Sequence, residues 1–372
     1  MNKDVKAALE AERLRMEKKW GQKSADLGST RHKQNVVSTG VQALDYVLGT
    51  GGYPRRYMTE IYGPPDVGKS SILGITAMVN AQKEGLTPGI IALEPGFDPV
   101  WAERHGLDTD HLLIGRPDDG QQAFGMLYDW VIGDTVDFIL FDSIGAVLRE
   151  SEVSEKADAP SAFGQAGLIT WGLKRCVMPL WKKNKCLILI NQVRDDQKSR
   201  ISGLLDSPGG HALKHSCPIR LQVKFGKERW YGKDHDGDES YSYTNGQNIV
   251  VAVKRNKMTE GTGKRAQFDY FYEEVEGRPF GIDTTADIIA TALRSGVLLK
   301  AGAYYRHPLF PLSKTGFNQV HGTEGVAEFF RQNPKSVDTV RNEMLTVMQA
   351  RLEAKSAKKP DAPEETESTD ED

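Results

Sequence analysis

The stretch Gly63-Pro64-Pro65-Asp66-Val67-Gly68-Lys69-Ser70 decides the fold, because it matches the phosphate-binding pattern G-x-x-x-x-G-K-S, the P-loop. Residues 57–62 before it have the composition of a strand, and residues 71–79 after it have that of a helix. In this setting the glycines let backbone N–H groups converge on a phosphate at a helix N-terminus. Lys69 would add charge at the β- and γ-phosphates, and the Ser70 hydroxyl would ligate Mg²⁺. We therefore expect the chain to bind a nucleotide.

Short apolar runs recur along the chain at intervals that are typical of buried parallel strands separated by helices. The runs are Met58–Tyr62, Gly89–Leu93, Phe138–Phe141, Leu187–Ile190, Ile219–Val223 and Ile249–Val253. Because the P-loop follows the first run, the pattern predicts an α/β fold with a mostly parallel, twisted sheet and crossover helices.

Composition divides the chain into four parts. Residues 1–35 hold a helix at 3–20 and a polar linker, residues 36–277 form the core, residues 278–355 form a small α+β domain, and residues 356–372 form a tail. The first helix is amphipathic, so it either packs on its own chain or docks on another, and the sequence leaves both open. The tail has no large apolar side chain to bury, so we expect it to be disordered.

The formal net charge of −3 hides an uneven distribution. The segment Asp361–Asp372 carries seven acids and no base, so the rest of the chain is positive by four. A basic body suits a nucleic-acid partner, and the acidic segment would either solubilise the protein or compete with that partner. The three cysteines lack metal or disulfide spacing, no apolar run reaches the ~20 residues of a membrane span, and the N-terminus lacks a signal-peptide pattern. These features predict a cytoplasmic protein.

Polar side chains stand where three of the predicted strands end. Asp142, Glu94 and Gln192 each follow an apolar run directly or after one residue. Ligands bind at the carboxyl ends of parallel strands, so Asp142 would hold Mg²⁺, Glu94 would activate a water and Gln192 would sense the γ-phosphate. Turn chemistry at Asp142 and an ordinary surface position for Glu94 are the alternatives.

A long polar stretch follows the third of these strands. It runs from Asp195 to Ser207 and carries Lys198 and Arg200 beside the aliphatic Ile201. Such a loop is either functional or disordered. Bases can hold phosphates while an aliphatic side chain enters between nucleobases, so a nucleic-acid contact is the functional interpretation.

Several segments occur together in one order and spacing. Besides the P-loop they are Ser38–Asp45, Leu48–Gly49, Gly51–Pro54, Leu93–Pro99, Phe141–Ser143, Ile190–Arg194, Gly209–Lys214, Lys254–Lys257 and Lys300–Tyr305. Over about residues 5–340 the chain resembles the RecA-type homologous recombinases. The resemblance implies a RecA-like P-loop ATPase core, an N-terminal oligomerisation helix and a small C-terminal domain.

The same resemblance implies a function. Members of this family are ATP-dependent DNA recombinases: they polymerise into helical filaments on single-stranded DNA, with ATP and Mg²⁺ between neighbouring subunits, and pair that strand with homologous duplex DNA. The expected enzyme activity is a DNA-dependent ATPase in recombinational repair. The expected partners are single-stranded and duplex DNA, further copies of the chain, and single-strand-binding or loading proteins, with no membrane.

Residue roles carry over where the motifs match. The catalytic set is Lys69, Glu94, Gln192, Arg255 and Lys257. The last two would reach ATP from the adjacent subunit. The nucleotide-binding set is Gly63, Pro64, Pro65, Asp66, Val67, Gly68, Lys69, Ser70, Ser71, Asp98 and Trp101. The metal set is Ser70 and Asp142, with Ser143 beside them. The DNA-binding set is Phe163, Lys174, Arg175, Arg194, Lys198, Arg200, Ile201, Gly209 and Gly210.

Plainer interpretations stay open for several of these residues. Trp101 could belong to the core, Lys174 and Arg175 could form a solvated helix face, and Arg255 and Lys257 could be ordinary surface bases.

The two DNA loops, expected at residues 152–166 and 194–208, depart from the family pattern. The second contains three acids and no phenylalanine, so Ile201 stands nearest to the usual wedge, and the first lacks the usual methionine, with Phe163 close by. These departures favour a divergent member, similar in role to the phage protein UvsX.

Two other functions compete with recombination. One is a hexameric helicase or motor of the same fold on nucleic acid, and the other is a non-enzymatic filament that uses ATP as a switch. A helicase would want a separate N-terminal domain where this chain has a helix and a linker, and Glu94 speaks against a non-enzymatic role.

Overall fold

The structure is a computed structural model that describes residues 3–21, 25, 35–148, 162–195, 205–207, 210–233, 242–275 and 278–357. Its contacts divide the chain into two units. The first comprises Met1–Gly40, Gly52–Lys224 and Ala252–Met258, and the second comprises Val41–Gly51, Phe225–Val251 and Thr259–Asp372. The expected division into arm, core, C-terminal domain and tail stays a prediction.

The described helices and strands are numbered in chain order. They are α1 (Lys3–Trp20), β1 (Val36–Val37), α2 (Gln42–Leu48), β2 (Tyr53–Pro54), β3 (Met58–Gly63), α3 (Ile75–Lys83), β4 (Pro88–Ala92), α4 (Pro99–Arg104), β5 (Leu113–Gly115), α5 (Gly120–Ile132), β6 (Phe138–Asp142), α6 (Ala162–Lys183), β7 (Cys186–Gln192), β8 (Arg194–Asp195), β9 (Leu205–Asp206), α7 (Gly210–Ser216), β10 (Ile219–Lys233), β11 (Ser242–Asn256), β12 (Arg265–Phe271), β13 (Gly281–Ile282), α8 (Thr284–Ser295), β14 (Leu299–Ala301), β15 (Tyr304–Arg306), β16 (Gln319–His321), α9 (Gly322–Gln332) and α10 (Pro334–Ala357). A π-helical turn, Lys69–Gly74, precedes α3.

The parallel sheet of the first unit confirms the predicted fold class. Its strands lie in the order β10–β3–β7–β6–β4–β5, and each neighbouring pair is parallel. Gly63 of β3 lies opposite Gln192 of β7, and Ala92 of β4 lies opposite Asp142 of β6. The carboxyl ends of these strands therefore form one edge, on which the P-loop and the polar strand-end residues meet.

The apolar runs located the strands but not their full extent. β10 and β11 each have 15 residues, whereas the apolar runs Ile219–Val223 and Ile249–Val253 cover only five residues of each. β12 was missed because its burial alternates along the strand, so it has no continuous apolar run.

The core of the first unit lies between the sheet and the helices α5 and α6. The rings of Phe124 and Phe141 stack with their centroids 5.4 Å apart. A Cβ atom on Gly172 of α6 would lie only 2.2 Å from the Phe124 ring, so glycine lets α6 approach α5 closely. This packing fixes β6, and with it Asp142, within the sheet whose carboxyl edge carries the P-loop.

The second unit has its own core. The helices α8, α9 and α10 and the antiparallel sheet β14–β15–β16 enclose it. Its buried side chains are Ile288, Ile289, Ala292, Leu298, Tyr305, Phe310, Val326, Phe330, Val340 and Met344. The predicted helical runs at 286–293 and 324–332 lie within α8 and α9.

Cysteine and membrane expectations can be compared with the structure directly. Cys176, Cys186 and Cys217 are free, buried thiols. Within the described ranges, none of the helices has the length and apolar character that crossing a bilayer requires.

A buried carboxylate of α8 caps helix α2 in the second unit. Asp287 accepts hydrogen bonds from the backbone N–H groups of Gln42 (2.5 Å) and Ala43 (3.0 Å). Val41 at the N-cap provides no side-chain bond, so Asp287 replaces the usual local cap. Burial raises the pKa of Asp287 to about 7, and the two N–H bonds oppose that rise. The start of α2 therefore depends on one side chain distant in sequence.

Asp287→Ala is expected to destabilise the α2 region by about 1–3 kcal/mol, because two buried N–H groups lose their acceptor. The matched control is Asp283→Ala, which removes the side-chain cap that accepts the N–H of Ala286 at the start of α8 and should cost about 1 kcal/mol. Hydrogen exchange of peptides that cover residues 42–48 measures the effect. Equal protection of these peptides in both variants would contradict the capping role of Asp287.

Candidate nucleotide site

At two positions the backbone of the P-loop requires glycine. Gly68 has a φ of 84°, in the left-handed region that favours glycine. A Cβ atom on Gly63 would lie 2.4 Å from the carbonyl oxygen of Val223, so only glycine fits there. The N–H groups of Ile72 and Leu73 both bond to the carbonyl of Gly68, which turns the loop directly into the helix. The loop thus ends at a helix N-terminus, the arrangement that binds phosphate.

Lys69 reaches back across this loop. Its ammonium donates a 2.6 Å hydrogen bond to the carbonyl oxygen of Pro64, and its side chain is mostly buried. Burial lowers the pKa of Lys69, whereas the carboxylates of Asp142, Glu94 and Asp66 favour its charged form. The phosphates of a nucleotide would compete with the Pro64 carbonyl for this ammonium.

Ser70 and Asp142 offer the oxygen atoms that a hard cation prefers. Burial raises the pKa of Asp142 to about 6; the Ser70 hydroxyl, which hydrogen-bonds the Asp142 carboxylate, and Lys69 lower it, whereas Glu94 raises it. Mg²⁺ is bound through one or two carboxylates together with substrate phosphates. The pair therefore fits the predicted cation, with Lys69 close enough to share the phosphate charge.

Glu94 is held by two neighbours at the same edge. Its Oε1 accepts a 2.5 Å hydrogen bond from the Ser143 hydroxyl and a 3.3 Å bond from the Gln192 amide. The Ser143 hydroxyl thus orients Glu94, and its place beside the metal stays a prediction. The carboxylate of Glu94 and the amide of Gln192, predicted separately, are thus brought into one contact.

A cavity of about 250 Å³ opens beside the P-loop. Ser70 and Asp142 are among its polar lining residues, and apolar side chains form the other walls. The apolar walls include Ile75, Ile90, Phe97 and Leu140. Sequence reasoning missed these four, because an apolar residue carries no signal that separates a cavity wall from the core.

Trp101 and Asp98 border the same cavity. The indole Nε1 of Trp101 donates a 3.1 Å hydrogen bond to the carbonyl oxygen of Ser71, which fixes the ring beside the P-loop helix. Asp98 accepts from the N–H of Val100 and so caps α4, the helix that carries Trp101. The ring is therefore placed where a nucleobase could stack on it.

Arg255 and Lys257 lie beside the α7–β10 connection of their own chain. The Arg255 guanidinium donates to the carbonyl oxygen of Lys214, and the N–H of Lys257 donates to that of Pro218 at 3.0 Å. Their role toward the nucleotide of an adjacent subunit stays a prediction.

The expected DNA-binding residues are only partly described. Arg175 lies with its guanidinium 4.3 Å from the Tyr128 ring centroid and 4.6 Å from that of Trp171, and Lys174 beside it is exposed. Phe163 belongs to the first turn of α6, so residues 162–166 of the expected first loop are helical.

The second expected loop begins and ends in a short antiparallel ladder. Arg194 pairs with Asp206 there, and Gly210 begins α7. The predictions for Lys198, Arg200, Ile201 and Gly209 lie outside the described residues.

Comparison with known proteins gives the same family over most of the chain. The family model described as the RecA N-terminal domain matches residues 4–276. Protein RecA of Chlorobaculum parvum is 32% identical over 313 residues, which cover 83% of this chain and 82% of that protein. Protein RecA of Thermus thermophilus is 30% identical over 348 residues, 93% of this chain and 95% of that protein. The matched range includes all the candidate nucleotide-site residues.

Glu94→Gln is expected to bind an ATP analogue normally and to hydrolyse ATP about 10²–10⁴-fold more slowly, because an amide cannot take a proton from water. Fluorescent-analogue binding and phosphate release measure the two effects. Glu103→Gln, which changes a surface carboxylate on α4, is the control and should hydrolyse at the unmodified rate. Turnover of Glu94→Gln within a few-fold of the unmodified chain would mean that Glu94 is not the base.

Proposed function

Since the chain belongs to the RecA family, we propose that it is an ATP-dependent DNA recombinase. It forms helical filaments on single-stranded DNA and catalyses homologous pairing and strand exchange in recombinational repair. The observation that carries this proposal is the contact between Glu94 and Gln192 at the P-loop edge. It joins the residue suited to activating water to the residue from which the second DNA loop begins.

The geometry of the first unit supports ATP hydrolysis. The P-loop amides and Lys69 hold the phosphates, with Ser70 and Asp142 at the position suited to Mg²⁺. When bound, that ion neutralises charge on the phosphate oxygens. Glu94 accepts the proton of the attacking water, and the Ser143 hydroxyl fixes the carboxylate for this step.

Gln192 connects hydrolysis to DNA. Its amide is 3.3 Å from Glu94, and it is the last residue of β7, immediately before Val193 and the β8–β9 ladder. A γ-phosphate offers the amide a second, charged acceptor, so the side chain has two alternative partners. Each partner would hold the start of the loop in a different position, so the bound nucleotide would change the conformation of the DNA-binding segment.

Electron microscopy with an ATP analogue and single-stranded DNA tests the proposed assembly, together with an ATPase assay with and without DNA. Helical filaments and DNA-stimulated hydrolysis are expected. Closed rings would favour the hexameric motor, and filaments without hydrolysis would favour an ATP-switched structural protein. Either result would contradict the proposal.

Arg255 and Lys257 are expected to act on ATP bound by the adjacent subunit, where they would neutralise charge on the γ-phosphate. An Arg255→Ala/Lys257→Ala chain and a Lys69→Ala chain should each be inactive alone. Mixed filaments contain interfaces with one intact P-loop and intact bases from its neighbour, so partial ATPase activity should return.

Two controls make the mixing result interpretable. Co-assembly is verified by labelling each chain with a different fluorophore, and a mixture of Lys69→Ala with Glu94→Gln should give no recovery, because both changes affect the same P-loop site. If filaments of the first mixture contain both chains but recover no activity, Arg255 and Lys257 act on the nucleotide of their own subunit or only support its fold.

A further inference from the structure

A buried carboxylate lies behind the nucleotide site, on the strand that leads into the P-loop. Glu60 of β3 has no exposed surface, and its oxygens accept a 2.5 Å bond from Arg220 Nε and a 2.9 Å bond from Asn191 Nδ2. Glu60 and Arg220 are direct partners in the parallel β3–β10 pairing. Burying such a pair is costly, and apolar side chains of similar size often serve stability as well. The cost of burying this pair therefore indicates a role beyond holding the sheet together.

One arm of this cluster ends at the γ-phosphate sensor. Asn191 is fully buried, donates to Glu60 and accepts the backbone N–H of Gln192 at 2.9 Å. The amide plane of Asn191 is thus fixed at both ends. Glu60 thereby sets the position at which the backbone of Gln192 leaves β7, although it touches neither the nucleotide cavity nor Gln192 itself.

The other arm ends where the expected second DNA loop closes. Arg220 Nη2 donates a 2.8 Å hydrogen bond to the hydroxyl of Ser207, which is buried and directly follows β9. The same guanidinium lies 5.1 Å from the ring centroid of Tyr62, the residue before Gly63 of the P-loop. Arg220 therefore contacts both the P-loop strand and the end of the loop.

We propose that Glu60, held by Arg220 and Asn191, is a positioning residue that couples the nucleotide state to the second DNA loop. It joins Gln192 at the beginning of the loop to Ser207 at its end. When Gln192 changes partner, the shift passes through Asn191 and Glu60 to Arg220 and Ser207, so both ends of the loop respond together. This inference rests on the proposed function, because it needs a chain that binds both ATP and DNA.

The measured quantity is the ratio of single-stranded DNA affinities in the presence of an ATP analogue and of ADP. By linkage this ratio measures how much more strongly DNA binding is coupled to the analogue than to ADP, and allosteric couplings are commonly about 5–150-fold. Binding of a fluorescent oligonucleotide gives both affinities, and analogue binding without DNA shows whether the P-loop is intact. A merely structural role for Glu60 would change stability and leave the ratio alone.

Two variants interrupt the cluster at different points. Ser207→Ala removes only the hydroxyl at the loop end, and Glu60→Gln/Arg220→Met removes both buried charges together, so that neither is left unpaired. Each should bind the analogue within a few-fold of the unmodified chain while its DNA-affinity ratio falls below about one third of the unmodified value. Circular dichroism and thermal unfolding check the fold, and Ser207→Ala carries the test if the double variant does not fold.

Thr59→Val is the matched control. Thr59 neighbours Glu60 on β3, is equally buried, and its hydroxyl has no hydrogen-bond partner among the described residues. Its ratio should stay at the unmodified value. Folded Ser207→Ala and double variants with an unchanged ratio would overturn the positioning role alone. An unmodified chain whose DNA affinity is the same with both nucleotides would overturn the proposed function as well.

Discussion

The parallel pairing of β3 with its sheet neighbours is the constraint on which the site depends. It places Gly63 opposite Gln192, and the β4–β6 pairing places Ala92 opposite Asp142. Residues that are about 50 to 130 positions apart in the chain therefore meet at one edge, because parallel strands present their carboxyl ends together. A slip of one residue in the β3–β7 pairing would exchange the two faces of the strand and displace the sensor relative to the P-loop.

Charge at this edge is concentrated and partly buried. The ammonium of Lys69 interacts with the carboxylates of Asp142, Glu94 and Asp66. Burial lowers the pKa of Lys69 and raises that of Asp142, which favours the neutral form of each group. Phosphates and a divalent cation bring the charges that complement this set. Electrostatic stabilisation by groups already in place is the main contribution that a protein makes to phosphoryl transfer. Behind the edge, Arg220 and Glu60 hydrogen-bond each other, so their charges are balanced without a ligand.

Much of the fold and of the site follows from sequence patterns whose physics is local. The P-loop, the apolar runs and the strand-end residues Asp142, Glu94 and Gln192 could be found because glycine spacing and buried parallel strands leave clear patterns. The alternating strand β12 and the outer halves of β10 and β11 left no such pattern. Contacts between distant polar residues were also beyond reach: nothing in the sequence pairs Ser143 with Glu94, or Asp287 with the start of α2. Such pairs depend on register and packing, which only the assembled sheet defines.

A homologous-pairing assay tests whether the protein is a recombinase. Full-length protein is bound to circular single-stranded DNA with ATP and Mg²⁺ and then mixed with linear duplex of the same or of unrelated sequence, and the products are separated by gel electrophoresis. The expected result is joint molecules with the homologous duplex only, and none when ADP replaces ATP. Separation of duplex strands irrespective of homology, or joint molecules that form equally well with ADP, would contradict it.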